Sequence, residues 1–419
     1  MKPTVPTINA EMEAENVLDI QSICKKVILA PMVRGSELAF RTLVRRYGVC
    51  QCYSPMLRAE EVIIAYNIWK EGGDLSLAHE DGILLMTDIC RDKEPLTVQL
   101  CGSCPNTLYS ATQVLMKLQS SEDLLIDGID LNLGCPQKCA MNGNFGAFLA
   151  ENNPELAVKC VEAMRKGIDD YTNSCTSDCF VPSLKCVPRL SSKIRLLDND
   201  NETIAFAKKL EKAGCDLLTV HCRQRVDKHN GEPNLNTGRN IVKELSVPVV
   251  INGSLVNSLD DVMQTLQTTK AHSVMVARTF LENPCILIQS DADPLFLAAE
   301  YLECAELHPP PSVLYIQKHL RWIFRKYLQP AKEELDFSDW RYRLWTFLAR
   351  PYLQTIDQFR QVVALYAKLS DSELPESLAN HKEISFRSIR HQHLDGNESS
   401  LREEVLEESH SETFAYLFQ

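Results

Sequence analysis

The chain has 419 residues, of which 45% are hydrophobic, and a formal net charge of −12 at pH 7. This length exceeds one ordinary domain, so we expect a large domain with a smaller one. No apolar run approaches the ~18 residues that a membrane-spanning helix needs, so no membrane segment is expected. Residues 1–20 are acidic, which is the wrong charge for a signal or transit peptide. We therefore expect the protein in the cytoplasm or the nucleus.

The chain contains 16 cysteines, which we expect to be reduced in those compartments. Cys101 and Cys104 form a C-x-x-C pair, but no second pair follows at the spacing of a zinc ribbon. A second group, Cys175, Cys179 and Cys186, falls in an irregular polar stretch. The sequence thus predicts no metal site.

Charge is distributed unevenly along the chain. Residues 371–419 carry 4 Lys/Arg and 11 Asp/Glu, a net charge of −7, whereas residues 301–370 carry 10 and 7, a net charge of +3. The acidic total does not exclude a nucleic-acid partner, because a basic segment can bind it. Arg321 and Arg325 lie in this basic segment, and we expect them to contact phosphates.

Eight short apolar runs are predicted to form strands. They are Val27–Val33, Cys50–Met56, Leu96–Leu100, Gly128–Leu133, Ser192–Leu196, Asp216–Cys222, Val247–Asn252 and His272–Ala277. Helical patterns lie between them, at Ser36–Tyr47, Pro105–Gln119, Pro154–Lys166, Glu202–Lys212, Thr237–Leu245, Leu259–Leu266 and Phe280–Gln289. Strand–helix alternation predicts parallel strands, and eight units fit a (β/α)8 TIM barrel. A doubly wound sheet is the alternative, but no G-x-G-x-x-G follows the first strand.

The remaining segments complete the predicted organisation. Residues 167–190 lack periodicity and are expected to be a surface insertion, and a proline-rich linker at 307–311 precedes helices at Ser312–Leu328 and Trp340–Leu369. We therefore expect an N-terminal extension at 1–21, a barrel at 22–300, a helical domain at 301–370 and an acidic, disordered tail at 371–419.

The C-terminal ends of barrel strands converge on one site, so the residues there should act together. Most of these ends carry polar or charged side chains, namely Gln99, Asn132, Lys193, Arg195, His221, Arg223, Arg225, Asn252, Ser254 and Arg278. Cations within apolar runs suggest an anionic or carbonyl-rich ligand. The ends of the seventh and eighth strands suit a phosphate, and an amide with an ammonium group suits a flavin ring.

Cys135 follows the fourth strand directly and precedes a glycine-rich loop. It is either a small buried hydrophobe or a proton donor or nucleophile, and its position favours chemistry. Lys193 could instead be an exposed strand residue, and His221 a core histidine. Arg223 and Arg225 could be ordinary loop charges.

Several motifs together resemble the tRNA-dihydrouridine synthases across residues 22–370. They are Ala30-Pro31-Met32, Val98-Gln99-Leu100, Asn132-Leu133-Gly134-Cys135-Pro136 with the following Gly143-Asn144-Phe145-Gly146-Ala147, Lys193-Ile194-Arg195, His221-Cys222-Arg223 and Asn252-Gly253. The segments Met32-Val33-Arg34 and Phe40–Arg45 look most like the eukaryotic subfamily that acts on D-loop positions 20a and 20b. Ala277 and Ser254 depart from the family pattern, as do the insertion and the acidic tail.

The resemblance implies an FMN-bound barrel and a helical tRNA-binding domain, with NADPH or NADH as reductant. It implies that reduced FMN gives hydride to uracil C6 and that Cys135 protonates C5, with uracil held by Asn132, Lys138 and Arg195. The residues implied to contact FMN are Pro31, Met32, Val33, Gln99, Lys193, His221, Asn252, Gly253, Ser254, Ala277 and Arg278. A monomer is expected. The rival functions are an FMN-dependent barrel that reduces a free pyrimidine or enone, and an inactive tRNA-binding protein.

Overall fold

A closed barrel of parallel strands forms the larger part of this computed structural model. The structure describes residues 22–75, 81–121, 124–175, 187–228, 230–288, 292–329, 339–349 and 353–378. Its strands are β1 (Val27–Leu29), β2 (Gln51–Tyr53), β3 (Leu57–Arg58), β4 (Leu96–Cys101), β5 (Ile126–Leu133), β6 (Arg189–Leu196), β7 (Leu217–Gln224), β8 (Val249–Asn252) and β9 (Ser273–Val276). The strand order is β2-β1-β9-β8-β7-β6-β5-β4-β3, and pairing of β2 with β4 closes a barrel of eight strands.

This closure confirms the predicted (β/α)8 barrel and excludes the doubly wound sheet. The two-residue strand β3 was not predicted. It pairs with the end of β4 in the register Leu57–Leu100 and Arg58–Cys101. Each of the eight predicted strands overlaps an observed one, because strands buried on both faces read as nearly continuous apolar runs.

The helices of the barrel are α1 (Leu38–Arg46), α2 (Ala59–Lys70), α3 (Asp81–Arg91), α4 (Pro105–Ser121), α5 (Lys138–Asn142), α6 (Gly146–Asn152), α7 (Pro154–Cys175), α8 (Asp200–Lys212), α9 (Leu235–Glu244) and α10 (Leu259–Thr269). Asn153 caps α7 by accepting from the Leu156 N–H at 3.1 Å. The predicted helix at Ser36–Tyr47 begins later, at Leu38, and Ser36 exchanges hydrogen bonds with the backbone of Met32. Helices α2 and α3 were not predicted from the sequence. In α2 the apolar side chains of Ile64 and Trp69 are exposed, so the apolar residues of this helix do not mark a single buried face.

Two predicted boundaries are wrong. Residues 167–175 continue helix α7 and residues 189–190 begin β6, so both ends of the expected insertion at 167–190 belong to regular elements. Residues 176–186 of the expected insertion lie outside the described residues. The predicted helix Phe280–Gln289 is instead the short α11 (Arg278–Glu282), because Pro284 cannot continue a helix.

Helix α1 is held to α3 by a buried ion network. Arg41 is fully buried; its Nε donates to Asp92 at 2.7 Å, and its Nη1 lies 3.4 Å from Asp88. Arg45 joins Asp92 at 2.9 Å. Asp88 also accepts from the Leu38 N–H at 2.7 Å and so caps α1, whose own N-cap residue makes no side-chain cap.

The second unit is helical. The barrel unit comprises the chain up to Phe280 together with residues 284–291. The second unit comprises residues 281–283 and the chain from Ala292. Its helices are α12 (Pro294–Leu307), α13 (Val313–Ile323), α14 (Arg325–Leu328), α15 (Trp340–Leu348) and α16 (Ile356–Leu369), followed by a 3-10 turn at Glu376–Leu378. Helix α12 crosses the expected domain boundary at residue 301. The predicted helix Trp340–Leu369 is two helices, the second capped by Thr355 and Gln358.

Most of the expected tail at 371–419 and the extension at 1–21 lie outside the described residues. No helix in the described ranges is long and apolar enough to cross a bilayer.

Candidate active site

Strand register brings the predicted polar residues into adjacent positions at the C-terminal ends of the strands. Gln99 pairs with Asp130 between β4 and β5, and Asn132 pairs with Lys193 between β5 and β6. His221 pairs with both Arg195 and Asn252. One set of neighbouring strand ends therefore carries amides, cations and an imidazole together.

The loop that carries Cys135 is fastened to the end of β5. The Asn132 Oδ1 atom accepts from the Gly134 N–H at 3.1 Å and from the Cys135 N–H at 2.9 Å. On the other side, Gly146 has a φ of 63°, and a Cβ atom there would approach the Cys135 Cβ and carbonyl oxygen at 2.9 Å. The glycine that follows the Cys-Pro motif is therefore required for both its conformation and its lack of a side chain.

The Cys135 thiol is half-buried and packs against the cluster of Cys101, Ala140 and Phe145. A hydrogen bond with the exposed Cys139 thiol, followed by burial, raises the pKa of Cys135 well above that of a free cysteine. The same hydrogen bond lowers the pKa of Cys139 to about 6. A raised pKa favours the protonated form of the Cys135 thiol, as a proton donor requires. Cys139 was not among the residues predicted from the sequence.

Gln99 is fully buried, and its amide is engaged at both ends. Its Nε2 donates to Asp130 Oδ2 at 2.8 Å, and its Oε1 accepts from Asn132 Nδ2 at 2.8 Å. Asp130 itself was not among the predicted residues. It is fully buried, and burial raises its pKa to about 6. An acidic residue inside an apolar strand was the available signal for it.

Lys193 is half-buried at the centre of the site, and its amine has no ion-pair or hydrogen-bond partner among the described residues. Burial, followed by repulsion from Arg195, lowers the pKa of Lys193 to about 7. An uncompensated amine in this position suits an anionic or carbonyl-bearing ligand.

Arg195 is buried and braced by backbone carbonyl groups. Its Nε donates to the Gly134 carbonyl at 2.9 Å, and its Nη1 donates to those of Gln224 at 3.0 Å and Lys228 at 2.7 Å. Nη2 has no hydrogen-bond partner within the described ranges and remains free to donate to a ligand. Burial lowers the pKa of Arg195 to about 10.

The loop after β8 forms a compact turn. Gly253 has a φ of 88°, and a Cβ atom there would meet the His221 ring at 2.5 Å. Arg223 Nη1 donates to the Gly253 carbonyl at 2.7 Å and lies 3.4 Å from His221 Nε2. Asn252 Nδ2 donates to the Met275 carbonyl at 2.8 Å. Arg223 is thus a buried structural support for this turn rather than a loop charge.

The other predicted residues lie on the segments that follow β1, β5 and β9. Pro31 and Met32 are half-buried and Val33 is exposed. Ala277 packs on the barrel core, Arg278 is exposed as the first residue of α11, and Lys138 is exposed at the start of α5. Each follows the C-terminal end of its strand, although Pro31, Met32, Val33 and Ala277 were predicted within the strands Val27–Val33 and His272–Ala277, which end earlier, at Leu29 and Val276.

Arg225 was predicted to lie at a strand end, and the structure gives it two partners. Its Nε donates to Glu151 at 2.6 Å, and its guanidinium lies 4.6 Å from the centre of the Phe148 ring. Arg225 therefore ties the loop after β7 to helix α6.

The expectation that Arg321 contacts phosphates is not supported by its position. Arg321 is 4% exposed and stacks over Trp345 at 4.4 Å, so it serves packing of the second unit. Arg325 is half-buried, stacks over Trp322 at 4.6 Å and pairs with Glu282 at 3.2 Å. Lys326, Arg343 and Lys368 are exposed basic residues of the same unit. Across the described residues, no group of three or more His, Cys, Asp or Glu side chains could hold a metal ion.

Fold and site together define a (β/α)8 barrel whose strand ends offer a thiol, a half-buried amine and a turn suited to phosphate. The chain belongs to the dihydrouridine synthase (Dus) family, which it matches over residues 28–346. It is 34% identical over 313 residues to the tRNA-dihydrouridine(16/17) synthase-like protein of Mus musculus, covering 74% of this chain and 58% of the mouse protein. It is 31% identical over 304 residues to the tRNA-dihydrouridine(20a/20b) synthase-like protein of Homo sapiens, covering 71% and 82% of the two chains. Relatives of both position classes therefore match.

Proposed function

We propose that this protein reduces uridine to 5,6-dihydrouridine in the D-loop of tRNA, with FMN as cofactor and NADPH or NADH as reductant. Family membership and the names of the relatives support the reaction class. The observation that carries the proposal is the Cys135 loop, which is hydrogen-bonded to Asn132 at 2.9 Å beside the strand pair of Asn132 and Lys193. Positions 20a and 20b were expected from the sequence, and relatives named for positions 16 and 17 match at similar identity.

The residues at the strand ends fit FMN. The Ser254 Oγ atom is buried without a hydrogen-bond partner in the described part of the chain, directly after the glycine turn. A phosphate group would satisfy this hydroxyl, and Arg278 stands at the end of the neighbouring strand β9. The Lys193 amine makes no direct ion pair within the described residues, and a reduced, anionic flavin would supply one. Pro31, Met32, Val33, Gln99, His221, Asn252, Gly253 and Ala277 remain the other proposed contacts.

When bound and reduced, FMN supplies a hydride to C6 of uracil. The residues of the chain must then place the base, stabilise negative charge on its carbonyl oxygens and protonate C5. Cys135 holds the proton for C5, because its pKa is raised by the Cys139 hydrogen bond and by burial. The amine of Lys193 and the free Nη2 of Arg195 are the donors that can stabilise the developing charge. Asn132 holds the loop of Cys135, and the exposed Lys138 is the remaining proposed contact to substrate.

The test is conversion of unmodified tRNA by purified protein supplied with FMN and NADPH. We expect dihydrouridine by mass spectrometry of the RNA, with NADPH consumed in proportion, and no conversion of free uridine or orotate. Conversion of free pyrimidine would favour the rival oxidoreductase. A colourless protein that takes up no FMN but shifts tRNA in a gel would favour the inactive binding protein. Mapping the modified position distinguishes 16 and 17 from 20a and 20b.

FMN affinity should depend on the protonation of Lys193. Without a ligand the pKa of Lys193 is about 7, and a bound flavin ring that accepts hydrogen bonds from the charged amine should raise it. Below pH 7 the amine is already charged before FMN binds. Above pH 7 the amine is neutral and must take up a proton when FMN binds. The affinity for FMN should therefore fall as pH rises from about 7 to about 9, by at most about tenfold per pH unit. The phosphate of FMN is already doubly ionised in this range, so its own titration does not contribute.

Fluorescence titration of the flavin-free protein measures this dependence. Lys193→Met should bind FMN more weakly and with no such pH dependence, whereas the exposed Lys70→Met should behave as wild type. A wild-type dissociation constant that is constant across this range would remove Lys193 from the cofactor site.

A further inference from the structure

We propose that Asp130 is a positioning residue for uridine reduction, because its carboxyl group orients a buried chain of amides that ends on the backbone of Cys135. The kinetic part of this inference rests on the proposed function. The structural part concerns the loop of Cys135 alone and can be tested without substrate.

The chain of contacts runs through three strand residues. Asp130 Oδ1 accepts from the Ser191 hydroxyl at 2.6 Å, and Asp130 Oδ2 accepts from Gln99 Nε2 at 2.8 Å. Gln99 Oε1 accepts from Asn132 Nδ2 at 2.8 Å. Asn132 Oδ1 then accepts the N–H groups that hold the loop, that of Cys135 at 2.9 Å. Asp130 is thus connected to the thiol-bearing residue by an unbroken series of hydrogen bonds.

The direction of this chain follows from the chemistry of its two ends. An ionised carboxylate only accepts hydrogen bonds, and a backbone N–H only donates them. Between such ends, each amide can satisfy both neighbours in one orientation only. If Gln99 turned its oxygen toward position 130, Asn132 would have to present its NH2 group to the N–H of Cys135, and that contact would be lost. The carboxylate therefore determines which atom Asn132 offers to the loop.

Because the chain is buried, a reversed amide would leave polar groups without a hydrogen-bond partner. Asp130 and Gln99 are fully buried and Asn132 is 8% exposed, so water is not at hand to replace a lost partner. The charged and titratable groups that act on Asp130 are Lys193, Tyr53 and Cys215. No described contact joins Asp130 to the phosphate-type turn at 252–254. Its effect should therefore appear in the position of Cys135 rather than in the binding of the cofactor phosphate.

The critical variant is Asp130→Asn, which keeps the shape but can donate to Gln99 as well as accept from it. Both amide orientations then become available. We expect faster hydrogen exchange of the Cys135 amide in the flavin-free protein, measured by mass spectrometry with fragmentation of peptides across 131–139. The matched control is Asp88→Asn, a second buried carboxyl group, which should leave the exchange at Cys135 as in wild type.

Kinetics of the two half-reactions provide the second readout. Misplacement of a catalytic group by about 1 Å can cost about 10²-fold, so we expect Asp130→Asn to slow single-turnover reduction of tRNA uridine by about 10- to 100-fold. Flavin reduction by NADPH should slow less than this step. FMN affinity and the KM for tRNA are measured beside it, because Gln99 and Asn132 are themselves proposed contacts to FMN and uracil. Asp88→Asn should show wild-type rates.

The two readouts separate the possible failures. If wild-type protein makes no dihydrouridine, the proposed function fails, and the exchange experiment still decides whether Asp130 orients the loop. Unchanged exchange at Cys135 in Asp130→Asn would overturn the inference. Equal slowing of both half-reactions would also overturn it, since that result indicates general damage to the site. Should Asp130→Asn fold poorly, Gln99→Met interrupts the same chain and should give the same loss of protection at Cys135.

Discussion

Replacing Cys135 with alanine is expected to slow dihydrouridine formation by about 10²- to 10⁴-fold, the usual contribution of a positioned general acid. Hydride addition at C6 leaves negative charge on the C4 carbonyl side of the ring, and C5 must then be protonated. Cys135 is half-buried, its backbone is fixed by Asn132, and its pKa is raised by the Cys139 thiol and by burial. An alanine at this position retains the loop geometry and removes only the proton.

Rapid mixing of the reduced protein with tRNA measures this step directly. FMN content, flavin reduction by NADPH and tRNA affinity should be as in wild type. Cys104→Ala removes a different exposed thiol, at the start of α4, and should leave the rate unchanged. Normal turnover in Cys135→Ala would end its assignment as general acid. If turnover were then lost on adding Cys139→Ala, the proton donor would be Cys139.

Arg41→Met is expected to lower the free energy of unfolding by about 3–5 kcal/mol, because it leaves buried carboxylates without their partner. Arg41 contacts both Asp88 and Asp92, and Asp92 retains only Arg45 after the change. Methionine fills a similar volume, so the loss should reflect charge rather than a cavity. The exposed Arg46 of the same helix provides the control, and Arg46→Met should change stability by less than about 1 kcal/mol.

The loss should also depend on pH in a defined direction. Burial raises the pKa of Asp88 to about 6, so its contribution to stability is fully present below its ordinary value of 3.8 and is lost as pH rises through about 6. Removing Arg41, which favours the ionised form, should raise this pKa further. The deficit of Arg41→Met should therefore grow from about pH 5 to about pH 8, and adding Asp88→Asn should restore part of it.

Urea denaturation at several pH values measures both effects. A deficit that is the same at all pH values, or one that Asp88→Asn deepens, would show that the ion network does not account for the stability of this region.

The barrel could be predicted from sequence because its signals are local. Buried parallel strands give apolar runs, and the polar ends of those runs identified Asn132, Lys193, His221 and Asn252 before their neighbours were known. The contacts that set their behaviour are not local. Gln99 and Asp130 are 31 positions apart, and Asp130 lies within a run that reads simply as a strand.

Arginine burial shows the same limit. Arg41 looks like an ordinary charge on an amphipathic helix, since its carboxylate partners come 47 and 51 positions later. Arg321 was expected at a surface because it lies in a basic segment, yet an aromatic ring covers it. Composition reports how many charges a segment carries, but only packing decides which of them face solvent.

The brace formed by Arg195 has a consequence for how the two loops it joins can vary. One guanidinium holds the carbonyl of Gly134, beside the thiol, the carbonyl of Gln224 at the end of β7, and that of Lys228 on the loop that follows. An insertion or deletion in either loop would shift the anchor of the other. Exchange of these loops between relatives should therefore succeed when both are transferred as a pair and fail when one is moved alone.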